Sequence, residues 1–124
     1  MAKKTNYMFR FKKWRIYTAL RELRLEVHKE LLPMIPIEER YNLVSQIRRQ
    51  IDSVILNVAE GSYRKTDKDF AHFLNQANAS LYEFAATLDL LLDSGYIKKE
   101  AHFHFTEKAE LLARQISAFA KKLK

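Results

Sequence analysis

The first fifteen residues of the chain carry the side chains best suited to binding an anion. They contain six cations and no carboxylate. These six positive charges account for most of the formal net charge of +7 of this 124-residue chain. The cations are Lys3, Lys4, Arg10, Lys12, Lys13 and Arg15. Aromatic residues are interspersed among them, at Tyr7, Phe9, Phe11 and Trp14. Because cations neutralise phosphates and aromatic rings stack on bases, this composition is typical of a nucleic-acid contact.

The same segment also has a purely structural interpretation. Aromatic side chains near a terminus commonly complete a hydrophobic core, and the lysines between them then face water. Residues 1–13 would in that case form an arm docked on the rest of the protein. The sequence leaves both interpretations open. Removing the arm lowers thermal stability under the structural interpretation, and lowers only polyanion binding under the functional one.

Two adjacent arginines, Arg48 and Arg49, form a second basic feature. They precede Asp52 by four and three residues, which is the spacing of an ion pair along one helix. The pattern favours an outer face whose charges pair with each other, and a phosphate contact is the alternative. Both arginines are therefore candidate nucleic-acid-binding residues.

Polar residues also gather where the same helix is predicted to stop. Asn57 and Glu60 lie about one turn apart, a spacing that suits hydrogen bonds to a neighbouring helix or subunit. Gly61 follows at a position suited to a left-handed C-cap. Arg64 and Lys65 add two cations to the turn, and both are further candidates for binding nucleic acid.

The chain lacks the residue patterns of the common catalytic, cofactor and metal sites. It has no cysteine, so disulfides, thiol nucleophiles and thiolate metal sites are excluded. Its two glycines, Gly61 and Gly95, cannot form a glycine-rich phosphate loop. His102 and His104 are two residues apart, so on a helix they point to different faces. We expect no enzymatic activity, no cofactor and no metal site.

Helices must position these residues, since glycine and proline are scarce. Apolar residues recur at alternating three- and four-residue spacings along four segments, approximately residues 14–32, 37–60, 67–94 and 99–122. Short connections favour antiparallel neighbours. The sequence predicts an all-α protein, with an arm at 1–13 and an antiparallel up-down-up-down four-helix bundle at 14–124.

Some apolar residues fall outside the helical seams and suggest a second buried surface. They are Leu56, Phe73, Leu90 and Leu92. A single bundle cannot easily bury all of them, so we expect a homo-oligomer in which they lie between subunits. No apolar run reaches the length of a bilayer span, and the N-terminus lacks the apolar core of a secretory signal. A cytoplasmic location without a membrane partner is the expectation.

A signature in the second predicted helix resembles that of a known family. The matching residues are Gln46-Ile47-Arg48-Arg49, Ser53 and Asn57-x-Ala59-Glu60-Gly61-Ser62-x-Arg64. They are similar to the motif of small bacterial four-helix-bundle proteins encoded in intervening sequences of large-subunit ribosomal RNA genes. The resemblance covers approximately residues 36–97, and it marks Gln46, Asn57, Glu60 and Gly61 as polar motif positions.

The resemblance implies partners that residue spacing alone does not. Relatives such as the accessory variability proteins of diversity-generating retroelements form ring-like homopentamers that engage RNA and a reverse transcriptase. By that similarity the chain is expected to be a non-enzymatic, oligomeric protein, preferably a pentamer, that binds RNA or DNA. Ribosomal RNA or a reverse transcriptase would be its partner. The alternative is a protein-interaction or structural scaffold whose basic charge is incidental, and a salt titration of binding separates the two.

Overall fold

The computed structural model describes the backbone of residues 3–123 and the side chains of residues 8–123. The described chain is helical and contains no β-strand. Its four α-helices are α1 (Arg15–Glu26), α2 (Leu43–Gly61), α3 (Asp67–Asp93) and α4 (Lys99–Lys122). The arm forms 3₁₀ turns over Lys3–Lys13 that are broken at Phe9. The prediction of an all-α bundle is confirmed.

The connection between α1 and α2 differs from the prediction. After α1 the chain widens into a π-helical turn over Val27–Leu31 and then tightens into a 3₁₀ turn over Leu32–Met34. A further 3₁₀ turn spans Ile37–Glu39, where we predicted the start of the second helix. Asn42 has a non-helical backbone (φ −124°, ψ −94°), so α2 begins only at Leu43.

The ends of α3 follow the local sequence signals. Thr66 caps its N-terminus, because its side chain accepts a hydrogen bond from the Asp69 amide at 3.1 Å. At the other end Gly95 adopts a left-handed backbone (φ +77°), and the Tyr96 amide donates to the Leu91 carbonyl at 3.0 Å. These bonds satisfy backbone groups that a helix end leaves unpaired. They set the length of the longest helix.

The core is built from the apolar seams of the four helices. The apolar seams of the first and third predicted helices are fully buried, and the rings of Phe84 and Phe105 are the largest fully buried side chains. The residues of these two seams are Ile16, Leu20, Leu23, Val27 and Leu31 in the first, and Phe70, Leu74, Ala77, Leu81, Phe84, Leu88 and Leu91 in the third. The seams are only partly buried near their ends, at Val44 on α2 and at Phe119 and Leu123 on α4. A heptad-like spacing therefore predicts which face of each helix is buried.

Contacts between α2 and α3 run in opposite order along the two helices. Gln50 donates to Thr87 at 3.1 Å, and Ser80 donates to Ser53 at 2.9 Å. The α3 and α4 contacts show the same opposite order, in the pairs Asn78 with Ser117 and Asp89 with His102. The up-down-up-down order of the whole bundle stays a prediction.

Candidate nucleic-acid interface

An aromatic cluster brings the residue before α1, the start of α3 and the end of α4 together at one end of the bundle. Trp14 stacks on Phe70 with ring centroids 5.6 Å apart, and meets Phe119 edge-on at 5.0 Å. Phe70 and Phe119 are themselves in edge contact at 5.3 Å. Aromatic pairs at these separations are favourable beyond the area that they bury. Residues from the start, middle and end of the sequence therefore meet in one packed cluster.

Arg10 fastens the arm to the same end. Its guanidinium lies 5.6 Å from the ring centroid of Trp14 and 5.8 Å from that of Phe70. One of its nitrogens donates to the Ser62 carbonyl at 3.1 Å, just past the C-terminus of α2, where a cation complements the helix dipole. These contacts favour a docked arm. Arg10, which we predicted as a nucleic-acid-binding residue, makes contacts within the chain that hold the arm in place.

Cations from three segments converge around this cluster, and we call the surface that they form the basic end. They are Arg10, Lys12, Lys13, Arg15, Arg64, Lys65, Lys68, Lys121 and Lys122. The carboxylates of the same segments are Glu60, Asp67 and Asp69. Cations therefore outnumber carboxylates at the basic end, and such an excess produces a positive potential. The backbone of Lys3 and Lys4 belongs to the arm, and their side chains lie outside the described part of the chain.

The opposite end of the bundle has a different balance of charge. There the Tyr96 hydroxyl donates to Glu39 at 2.9 Å, which joins the turn after α3 to the connection before α2. Carboxylates and cations are mixed at this end, namely Glu38, Glu39, Asp93 and Glu100 with Arg40, Lys98 and Lys99. The basic character is therefore a property of one end only.

Arg48 and Arg49 lie away from the basic end. Both are exposed on α2, and Arg49 is about 18 Å along the helix axis from Gly61 at a rise of 1.5 Å per residue. The predicted pairing with Asp52 is wrong: Asp52 bonds to Arg24 of α1 at 2.6 Å. An intrahelical spacing permits a pair, but the packing of α1 on α2 offers Asp52 another partner.

Gly61 does not form the predicted left-handed cap. It is the last residue of α2, and Gly95 is the described residue with a positive φ. A Cβ at position 61 would lie 2.9 Å from Phe70 Cδ1 and 2.9 Å from Phe73 Cβ. Glycine is required because α3 passes close to the α2 backbone, and the absence of a side chain brings the aromatic cluster against the end of α2.

Arg64 lies in the turn beside that contact, with Lys65 exposed next to it. The guanidinium of Arg64 is 5.1 Å from the ring centroid of Phe73 and 3.9 Å from the Glu60 carboxylate. Both members of the ion pair are more than one third exposed, so water screens their attraction and the pair contributes little stability. Arg64 therefore keeps an exposed charge at the basic end.

Comparison with known proteins identifies the family. The model of a family described as 23S rRNA-intervening sequence protein matches residues 12–118. The chain belongs to this family. A crystal structure of a protein of unknown function from the S23 ribosomal protein family of Bacteroides thetaiotaomicron VPI-5482 is also similar, with a TM-score of 0.77. The two are 19% identical over 86% of this chain and 95% of that chain, which shows a shared fold. No match is found among curated proteins.

Two polar positions of the family signature make hydrogen bonds along α2, one of them to the N-cap residue Asn42. Asn57 donates to the Ser53 carbonyl at 2.9 Å and to its hydroxyl at 3.1 Å, and Gln46 donates to Asn42 at 3.0 Å. The predicted direct hydrogen bond from Asn57 to another helix is not among these contacts, and a bond to another subunit stays a prediction. Ser53 also accepts a hydrogen bond from Ser80 of α3, so the signature reaches the next helix through a serine pair.

The histidines of α4 link that helix to two neighbours. His102 Nε2 lies 2.7 Å from the Asp89 carboxylate of α3, and His104 Nε2 lies 2.5 Å from the Glu26 carboxylate of α1. The two histidines therefore point to different faces of α4, as their spacing predicts. Burial raises the pKa of the Glu26 carboxyl, but hydrogen bonds from Lys108 and His104 outweigh it and leave that pKa below its usual value. These contacts orient α4 against α1 and α3.

Within the described residues, no group of histidine and carboxylate side chains has a geometry that could hold a metal ion. None of the described helices is long and apolar enough to cross a membrane.

Three cations of the basic end were not predicted as binding residues. Lys68 lies in the first turn of α3, and Lys121 and Lys122 lie in the last turn of α4, where they complement the helix dipole. Their neighbours are aromatic: Phe70 begins the apolar seam of α3, Phe119 lies near the end of the seam of α4, and Trp14 directly precedes α1. The aromatic residue next to each group of cations was therefore the sequence feature that could have predicted that the three segments meet.

Proposed function

We propose that this protein binds nucleic acid through its basic end and acts without catalysing a reaction. The observation that carries the proposal is the convergence of cations from the arm, the α2–α3 turn and the end of α4 on one surface. A phosphate backbone is the polyanion that such a surface suits, because each neutralised phosphate releases condensed counterions. Membership of the 23S rRNA-intervening sequence family favours RNA as the ligand.

The contribution of Lys121 and Lys122 can be tested with a matched control on the same helix. We compare the double variant Lys121→Gln/Lys122→Gln with Lys98→Gln/Lys99→Gln, which removes the same charge from the opposite end of α4. Fluorescence anisotropy with a labelled structured RNA is measured across a salt series. Each phosphate contact adds about −0.9 to the slope of log affinity against log salt.

The first variant is expected to bind more weakly and to show a slope shallower by up to about 2, since two phosphate contacts are lost. The control is expected to bind like the wild type. Thermal melts of both variants confirm that the helices are intact. Equal losses in the two variants would contradict a localised site, and a flat salt response of the wild type would contradict the proposal altogether.

We also propose that the chain forms a homo-oligomer. Several large apolar side chains are exposed, which are Leu25, Leu56, Tyr82, Leu90, Phe103 and Leu111. A groove of about 540 Å³ runs between α3 and α4 and is lined by small residues such as Ala85, Ala109 and Ala113. Surfaces of this kind support association between subunits. Two of the four residues predicted to lie between subunits, Leu56 and Leu90, are exposed in the single chain, whereas Phe73 and Leu92 are partly buried.

A homopentamer, a reverse-transcriptase partner and a cytoplasmic location remain predictions from the sequence and its resemblance. Light scattering coupled to size-exclusion chromatography tests the first, since a pentamer has five times the 14.7 kDa mass of the chain. If the protein self-associates but shows no affinity for RNA or DNA at low salt, the alternative function applies. It would then be a protein-interaction scaffold built on these apolar surfaces.

A further inference from the structure

Two aromatic side chains remain exposed where the arm touches the end of α2. Phe9 is 54% exposed and Tyr63 is 80% exposed. They are the chain neighbours of Arg10 and Ser62, which are joined by the hydrogen bond that fastens the arm. The two rings therefore flank one contact at the basic end, whereas the nearby Trp14 is packed into the aromatic cluster.

The surroundings of both rings are cationic. Lys12 Nζ lies 5.3 Å from the ring centroid of Phe9, and Tyr63 is followed directly by Arg64 and Lys65. The backbone leaves the helical region at Phe9 (φ −113°, ψ 66°), so the arm turns at the residue whose ring is exposed. An isolated exposed aromatic ring needs no explanation, but two rings among cations form the arrangement that holds single strands.

We propose that the basic end selects single-stranded nucleic acid by stacking unpaired bases on Phe9 and Tyr63. This inference rests on the proposed function, and it names the form of the ligand. In a duplex the base faces are covered by their neighbours, so a duplex can meet only the cations. In a single strand the bases are free to stack on the rings while Lys12, Arg64 and Lys65 lie along the backbone.

The stacking contribution sets the expected selectivity. Removing an aromatic platform weakens single-strand binding by about 5- to 150-fold for each stacked base. Binding to duplex should change little, because phosphate contacts survive the substitution. The selectivity is sequence-tolerant, since every base offers a π-face. RNA and DNA strands share this chemistry, and the 2′-hydroxyl is what distinguishes them.

The test compares Tyr63→Ala with Tyr41→Ala. Tyr41 is 85% exposed, so it matches Tyr63 in residue type and exposure. It lies near the connection before α2, at the opposite end of the bundle from Tyr63. The probes are uridine-rich single strands of RNA and of DNA and a duplex, each about 20 nucleotides long to exceed the site size of one single-strand-binding fold. Affinity is measured by anisotropy. A fluorescent adenine analogue in the strand reports stacking directly through quenching.

The inference predicts at least about fivefold weaker single-strand binding and loss of quenching for Tyr63→Ala. It predicts that Tyr63→Ala leaves duplex binding unchanged. Tyr63→Phe should retain both the single-strand affinity and the quenching of the wild type, and Tyr41→Ala should change neither. Phe9→Ala should repeat the pattern. Equal effects on single strand and duplex, or no effect, would overturn stacking while the nucleic-acid function stands. A wild type that binds none of the probes would overturn both.

Discussion

Replacing Gly61 with alanine tests the closest approach between two helices of the bundle. The new Cβ would lie 2.9 Å from two carbon atoms, one on Phe70 and one on Phe73, against an ordinary separation of about 3.5–4.0 Å. Overpacking of a core costs about 1–3 kcal/mol. Removing glycine from a helix returns about 0.8–1 kcal/mol. We therefore expect Gly61→Ala to lower the free energy of unfolding by about 1 kcal/mol.

The assay is urea unfolding followed by far-UV circular dichroism at a fixed protein concentration, since an oligomer's stability depends on concentration. A thermal scan should show a decrease in Tm of about 4 °C for this chain length. Gly95 is the control, because nothing lies within 4 Å of its added Cβ and its φ is +77°. At position 61 an asparagine variant should be less stable than the alanine variant. At position 95 the asparagine variant should be the more stable of the two, because asparagine tolerates a left-handed backbone. A Gly61→Ala protein more stable than the wild type would refute the steric argument.

Two further substitutions test polar contacts between the helices. Thr87→Val should destabilise the fold by about 1–3 kcal/mol, because it leaves the buried Gln50 amide without its acceptor. Adding Gln50→Leu should recover most of that loss, and a double variant no better than the single one in urea unfolding would argue against this pairing. Glu26→Gln should destabilise at neutral pH, since the pKa of Glu26 is lowered in the folded chain. That stability is present above the usual pKa of 4.5 and is lost as pH falls through the lower folded value, so in melts across pH the difference from wild type should shrink in acid. A difference independent of pH would contradict a contribution from the carboxylate charge.

The sequence predicted the helices and their buried faces because these depend on local periodicity. The α3 seam illustrates this, since its three- and four-residue alternation identified every buried apolar position from Phe70 to Leu91, whereas the buried polar residue Thr87 lies outside it. The predicted bounds of the third helix, approximately residues 67–94, also agree with the structure, in which Thr66 caps the start of α3 and Gly95 adopts a left-handed backbone after its end. At these positions the residue type and its neighbours in sequence are sufficient to explain why the helix begins or ends.

Features that depend on distant parts of the chain were not predictable in the same way. Asp52 had suitable partners within its own helix, yet it pairs with Arg24 across 28 residues of sequence. Gly61 was interpreted as a cap because its local sequence suits one, and the neighbour that requires glycine is the ring of Phe70 on another helix. The basic end is of the same kind, since its cations come together only when the aromatic cluster folds.

Photo-crosslinking tests most directly the central claim that nucleic acid binds at the basic end. The protein is irradiated with a thiouridine-substituted single-stranded RNA, and the crosslinked peptides are identified by mass spectrometry. We expect crosslinks within residues 8–15, 62–68 and 119–123, and their loss when unlabelled RNA competes. Crosslinks confined to residues 33–42 and 95–100, at the opposite end of the bundle, would contradict the account.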